Sequence, residues 1–132
     1  KEHYENGVNA SFDFYNTYAK NFETYVESSD ADTYLLGAEV AFDNSLTTDE
    51  KLELILTQKY FTSFLQTGWR AYFDHLRTGY PAFAQLPGAT PPTRWIYPNS
   101  EYNNNSANVA AAIERQFGAG NDKIREITWW LE

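Results

Sequence analysis

At 132 residues the chain suits one domain, able to bury roughly 65–70% of its unfolded surface. Ten Lys and Arg against eighteen Asp and Glu leave a net charge of −8, with no basic run, so nothing here would neutralise nucleic-acid phosphates or an anionic membrane. The absence of Cys excludes disulfides and thiolate zinc sites but fits oxidising and reducing compartments alike.

Aromatic residues are the unusual fraction, at 17%, with ten Tyr, nine Phe and four Trp. Large rings with a polar handle serve cores, interfaces and carbohydrate-binding surfaces, and composition does not choose among them. The apolar runs fall far short of the ~18 residues a membrane-spanning helix requires. The chain contains no Met and opens on Lys1-Glu2-His3-Tyr4, already inside a helical pattern and with no signal peptide, which reads as a piece of a longer protein.

Tyr4, Val8, Ser11, Phe12, Tyr15, Tyr18, Ala19, Phe22, Tyr25 and Val26 recur with the period of one helix face, predicting a helix over about 3–27. Ser28-Ser29-Asp30 ends it with side chains that compete for backbone hydrogen bonds. Residues 30–46 read as irregular, with one short helix. Thr47 followed by Glu50 forms a capping box and starts a helix over about 48–66. Leu52, Leu54, Ile55, Leu56, Tyr60, Phe61, Phe64 and Leu65 cover well over half its circumference. Such a stripe must be buried on more than one side, so the isolated chain is expected not to fold alone, or to stay paired with the rest of its protein.

After Gly68, residues Trp69, Tyr72, Phe73 and Leu76 form the core face of a helix over about 68–78. Arg70, Asp74 and Arg77 share the other face, where Asp74 can bridge both arginines. Gly79 and Pro81 stop that helix. Residues 80–103 hold all five prolines yet carry Tyr80, Phe83, Trp95, Ile96, Tyr97 and Tyr102, too aromatic for a disordered linker. They are expected to form an ordered loop packed on the helices. Residues 103–106 then cap a helix over about 105–117, with Val109, Ala112, Ile113, Gln116 and Phe117 facing inward. The tail through Ile124, Ile127, Trp129, Trp130 and Leu131 is expected to dock on the core.

Certain short stretches resemble the C-terminal part of the SusD/RagB family. They are Gln58-Lys59-Tyr60 followed by Gly68, then Arg77-Thr78-Gly79-Tyr80-Pro81. Pro92-Thr93-Arg94 leading to Tyr97-Pro98 and Glu101 follows, and Gly-Asn-Asp before Trp129-Trp130 closes the order. Tyr4-Glu5-Asn6-Gly7-Val8 with Ala10-Ser11-Phe12 is similar to the family's glycine-containing helix before this region. Leu76 departs from the pattern, since many members carry an arginine there.

The resemblance implies a mainly α, tetratricopeptide-like SusD-type fold, this chain being its C-terminal part with long ordered loops. It also implies a surface lipoprotein of the Gram-negative outer membrane, lipid-anchored through an N-terminal Cys absent from this chain. Such proteins bind oligosaccharide or another nutrient and pass it to a SusC-like, TonB-dependent transporter. The implied partners are that transporter, the nutrient, and the missing N-terminal part of the same protein, without cofactor or metal.

The best ligand candidates are Tyr80, Arg94, Trp95, Tyr97, Asn99 and Tyr102: rings for apolar sugar faces, forked or amide donors for hydroxyls. The plainer reading is that these aromatics pin a Pro-rich loop onto the helices. For catalysis, Asp74 and Glu101 are the best carboxylate pair, but nothing in the sequence sets their separation. His3 and His75 form no local metal motif, and no hydrolase or phosphate-loop signature is present, so an enzyme is not expected. The alternatives are a helical-repeat module for protein partners, read out by its concave surface, and a helical glycosidase.

Overall fold

The computed structural model describes residues 1–19, 27–64 and 66–132. In chain order these form α1 (Glu2–Tyr18), α2 (Asp30–Tyr34), α3 (Thr48–Ser63), α4 (Arg70–Thr78), α5 (Asn99–Asn104), α6 (Ser106–Phe117) and a 3-10 turn at Trp129–Leu131. Among the described residues there is no strand, and no helix is long and apolar enough to cross a membrane. The chain divides into two compact units, Lys1–Ala82 and Phe83–Glu132.

In the first unit α1 packs on α2 and α3, and α3 on α4. Glu2 and Glu5 favour the N-terminal end of α1 through the helix dipole. Tyr4 and Val8 are its buried residues. The Tyr4 ring lies 5.1 Å from that of Phe42, and its hydroxyl donates to the Val40 carbonyl at 2.8 Å, so one side chain holds the irregular segment after α2 against α1. Tyr34 links three helices: its ring sits 5.4 Å from Phe12 of α1, and its hydroxyl donates to Gln58 Oε1 of α3 at 2.9 Å. Both ends of the α3 capping box are made. The Glu50 amide donates to Thr47 Oγ1 at 3.3 Å and the Thr47 amide to Glu50 Oε2 at 2.7 Å.

The apolar stripes are less covered than their width predicts. On α1, Tyr18 is exposed, and Phe22, Tyr25 and Val26 lie outside the described residues. On α3 only Leu56 is buried, while Ile55, Phe61 and Phe64 are exposed; Leu65 lies outside the described residues. The face of α4 read as core buries no residue, and Trp69 and Phe73 are exposed. Asp74 also takes a different partner. Its carboxylate meets Lys59 of α3 at 2.7 Å and Arg77 at 3.3 Å, not Arg70, because the neighbouring helix places an ammonium closer. Burial alone would raise the Asp74 carboxyl, but the hydrogen bonds and charges of Lys59 and Arg77 outweigh it and hold it below its usual range. Gly79 closes α4 in the left-handed conformation at φ 81°, donating to the His75 carbonyl at 2.7 Å.

In the second unit α5 packs on α6, whose Val109 and Ile113 are buried. The helix at Asn99–Asn104 interrupts what the sequence predicts as a continuous loop to residue 103. It forms because Pro98 is extended and Asn99 onward is free of proline. Asn105 precedes α6 without capping its backbone; its Oδ1 accepts from the Asn108 side chain at 2.6 Å instead. The tail indoles do not dock as expected. Trp129 is 82% exposed and Trp130 is also exposed.

The Tyr4 contact yields a pH test. Burial, then neighbouring Tyr34, pushes its hydroxyl from 10.0 up to about 12. The folded state thus holds this proton more tightly than the unfolded chain does. The associated stability is complete below the unfolded value and lost as the pH rises through the folded one. Tyr4→Phe is expected to cost about 1 kcal/mol near neutrality and to shallow the alkaline loss of stability. Urea titrations followed by circular dichroism, below pH 10.0 and toward about 12, measure both effects.

Candidate functional site

Between Phe83 and Pro98 the chain of the second unit has no regular element, so its backbone must find partners elsewhere. It finds them in the tail. The amides of Thr93 and Arg94 both donate to the Ile124 carbonyl, at 2.8 and 3.3 Å, and Thr93 Oγ1 donates to the Glu126 carbonyl at 2.8 Å. Arg125 Nε donates to the Thr90 carbonyl at 3.0 Å. Loop and tail therefore run side by side, joined by polar contacts and not by burial of the tail tryptophans.

Asp122 is the centre of this arrangement. One carboxylate oxygen accepts from Arg94 Nη1 at 2.6 Å; the other accepts from the Tyr97 amide at 2.9 Å and the Tyr102 hydroxyl at 2.5 Å. The Arg94 and Asp122 side chains are only 9% and 8% exposed, which separates this pair from an ordinary surface ion pair. Arg94 also donates to the Lys123 carbonyl at 3.1 Å, and its guanidinium lies 4.2 Å from the centre of the Phe117 ring. Burial alone would raise the Asp122 carboxyl. The hydrogen bonds from Tyr102, Arg94 and the Tyr97 amide, with the Arg94 charge, outweigh it and hold the group below the ordinary carboxylate range. The same bond to Asp122, followed by burial and the Asp122 charge, raises the Tyr102 hydroxyl.

The six residues singled out in the sequence thus have different situations. Arg94, Tyr97 and Tyr102 converge on Asp122, and the Tyr97 hydroxyl also accepts from Gln116 Nε2 of α6 at 3.1 Å. Trp95 is 50% exposed, and Asn99 is exposed at the first position of α5. Tyr80 belongs to the first unit, where it is half-buried, its amide donates to Thr78 Oγ1 at 3.1 Å, and its bond to Pro81 is cis. Asp122 itself was not among the candidates. Its partners lie 20 to 28 positions earlier, and no local spacing announces them.

A second feature escaped the sequence reading. In the first unit a cavity of about 790 Å³ opens along α1 and α3, with Val8, Phe12, Ile55 and Phe61 among its lining residues. Among the described residues no group of three or more His, Asp or Glu is placed to hold a metal ion.

Asp122→Asn leaves a mostly buried guanidinium without its counter-charge and should destabilise the second unit by about 2–3 kcal/mol. Because the folded carboxyl lies below its unfolded value, its contribution is present above the ordinary carboxylate range and is lost as the pH falls through the depressed folded value. The wild-type chain should therefore lose stability on acidification more steeply than the variant. Thermal melts followed by near-ultraviolet circular dichroism across the acid range test this.

The model of the SusD-like family, described as Susd and RagB outer membrane lipoprotein, matches residues 1–131. A SusD homolog from Bacteroides fragilis NCTC 9343 is 46% identical, with a TM-score of 0.89 over 99% of this chain and 29% of its own. An outer membrane protein from Bacteroides vulgatus ATCC 8482, described in connection with nutrient binding, is 47% identical, with a TM-score of 0.90 over 100% of this chain and 29% of its own. Another SusD homolog from the same Bacteroides fragilis strain is 30% identical, with a TM-score of 0.84 over 99% and 30%. No curated protein matches. The chain therefore spans under a third of the length of these solved relatives. Its helices have the mainly α SusD-type fold, and the chain belongs to the SusD-like family.

Proposed function

We propose that this chain is the C-terminal part of a SusD-like surface lipoprotein that binds an oligosaccharide or other nutrient and delivers it to a SusC-like, TonB-dependent transporter. The observation that carries this reading is the family match over residues 1–131. The relative from Bacteroides vulgatus, described in connection with nutrient binding, supports it. The whole protein would stand on the outer-membrane surface, held by a lipidated N-terminal Cys beyond this chain. It binds and transfers; no bond is broken.

Sugar recognition needs exposed rings for the apolar ring faces and polar groups for the hydroxyls. Within the second unit, Trp95, Asn99 and Tyr102 are the exposed candidates. Arg94, Tyr97 and Tyr102 are engaged with Asp122 and serve to hold the loop in shape. Tyr80, in the first unit, is the remaining candidate.

A glycan-array screen of the full-length protein, with the 132-residue chain beside it, tests the proposal. The full-length protein is expected to bind oligosaccharide and to pull down a β-barrel partner. If the chain alone also binds, Trp95→Ala should weaken that binding about tenfold through loss of a stacking ring. Reducing-sugar release from a polysaccharide panel would replace the binder with a glycosidase. Silence toward glycans and other nutrients, with capture of a non-barrel protein, would favour the adaptor.

A further inference from the structure

Asp122 does more than close an ion pair. It holds the chain on both sides of Trp95 and Ile96, through Arg94 Nη1 at 2.6 Å and the Tyr97 amide at 2.9 Å. The Arg94 amide is fixed as well, donating to the Ile124 carbonyl at 3.3 Å. Two residues pinned at each flank keep little backbone freedom, yet Trp95 and Ile96 are each 50% exposed. The same carboxylate accepts from the hydroxyl of Tyr102, whose residue is 39% exposed. One nearly buried group therefore fixes the mountings of two rings that are open to solvent.

Exposure alone does not select Trp95, because Trp129 is more exposed. Preorganisation does: a ring already held in place loses little conformational freedom when a ligand stacks on it. Asn99, exposed at the first position of α5, adds an amide able to serve hydroxyls. Charge narrows the ligand. A uronate or sulfate needs a cation to receive it, but the Arg94 guanidinium is committed to Asp122 and the chain carries a net −8. An uncharged sugar meets no such repulsion.

We propose that Trp95 and Tyr102 form a stacking platform for a neutral oligosaccharide, with Asp122 as its positioning residue. Asp122 acts through Arg94, Tyr97 and Tyr102 and does not touch the sugar. The inference rests on the nutrient-binding reading above and adds to it a site and a class of sugar.

Calorimetric titration of the full-length protein tests it. The neutral probes are maltohexaose, cellohexaose, xylohexaose and mannohexaose, and the acidic probe is hexagalacturonic acid. A neutral probe should bind at least tenfold more tightly than the acidic one. Trp95→Ala should weaken that binding about tenfold, and Trp95→Phe, which keeps a ring, by less. Tyr102→Phe also keeps its ring but loses the bond to Asp122. It should weaken binding about threefold well below its melting temperature, which a merely structural tie would not do. With fluorotryptophan incorporated, the fluorine resonance that vanishes in Trp95→Phe should shift as sugar is added to the wild type. A resonance indifferent to sugar would overturn the platform even if Trp95→Ala failed to fold. Tighter binding of the acidic probe would overturn the neutral class. Unchanged affinity in Tyr102→Phe, with a lowered melting temperature, would overturn the positioning role. Full-strength binding by both Trp95→Ala and Tyr102→Ala would overturn the inference and leave the proposed function standing at another site. Failure of the wild type to bind any of the sugars would overturn the inference too, and capture of the β-barrel partner then judges the proposed function separately.

Discussion

The Arg94–Asp122 pair sets what the second unit can be. A stretch with four of the chain's prolines has few amides to spare and no sheet or helix to join, so its order has to come from side chains reaching across. Asp122 supplies a fixed acceptor to a guanidinium, a backbone amide and a phenol at once. Each bond makes the next less costly, because the carboxylate is already desolvated and oriented. The Phe117 ring beneath the Arg94 guanidinium then couples the loop to the end of α6. Remove the carboxylate and the loop loses its anchor, while Arg94 becomes a buried charge with only carbonyl and ring partners.

Tyrosine plays the comparable part in the first unit. Tyr4 and Tyr34 each bury a ring against another ring and spend the hydroxyl on a polar group of a different segment, the Val40 carbonyl and Gln58. The Tyr15 hydroxyl reaches the Thr62 carbonyl at 3.2 Å and joins α1 to α3. A phenol can serve as packing volume and as a cross-link together, which suits helices joined by irregular chain. The tryptophans behave otherwise: all four are exposed. Among the described residues the aromatic fraction that composition leaves ambiguous thus divides in part by residue type: Tyr4, Tyr15 and Tyr34 tie segments together, Tyr18 is exposed, and the four indoles are left at the surface.

What the sequence makes legible is local. The capping box at Thr47 and Glu50 depends on residues three apart, and the left-handed turn at Gly79 on one residue without a side chain. The mainly α fold follows from stripes with helical period, and the family from short words in a fixed order. What it conceals is set by partners distant in the chain. Asp74 selects Lys59 over Arg70 because α3 lies against α4, a fact absent from the spacing on α4. The helix at Asn99–Asn104 is hidden among residues that favour turns, and Asp122 by the 28 positions separating it from Arg94. Within the candidate site, residue types suited to sugar were visible, but not that three of them are already occupied.

Stripe width and actual burial disagree most on α3, and the disagreement is informative. A helix apolar around more than half of its circumference is stable only with neighbours on several sides. In this chain α3 has α1 and α4, yet Ile55, Phe61 and Phe64 remain exposed. Sequence patterning records the environment in which a helix was selected, whereas burial records only the part of that environment present. This chain spans under a third of the length of its solved relatives, and on α3 the apolar pattern exceeds the burial it achieves. Ile55 and Phe61 line the cavity along α1 and α3, so part of that excess faces an open space within the first unit.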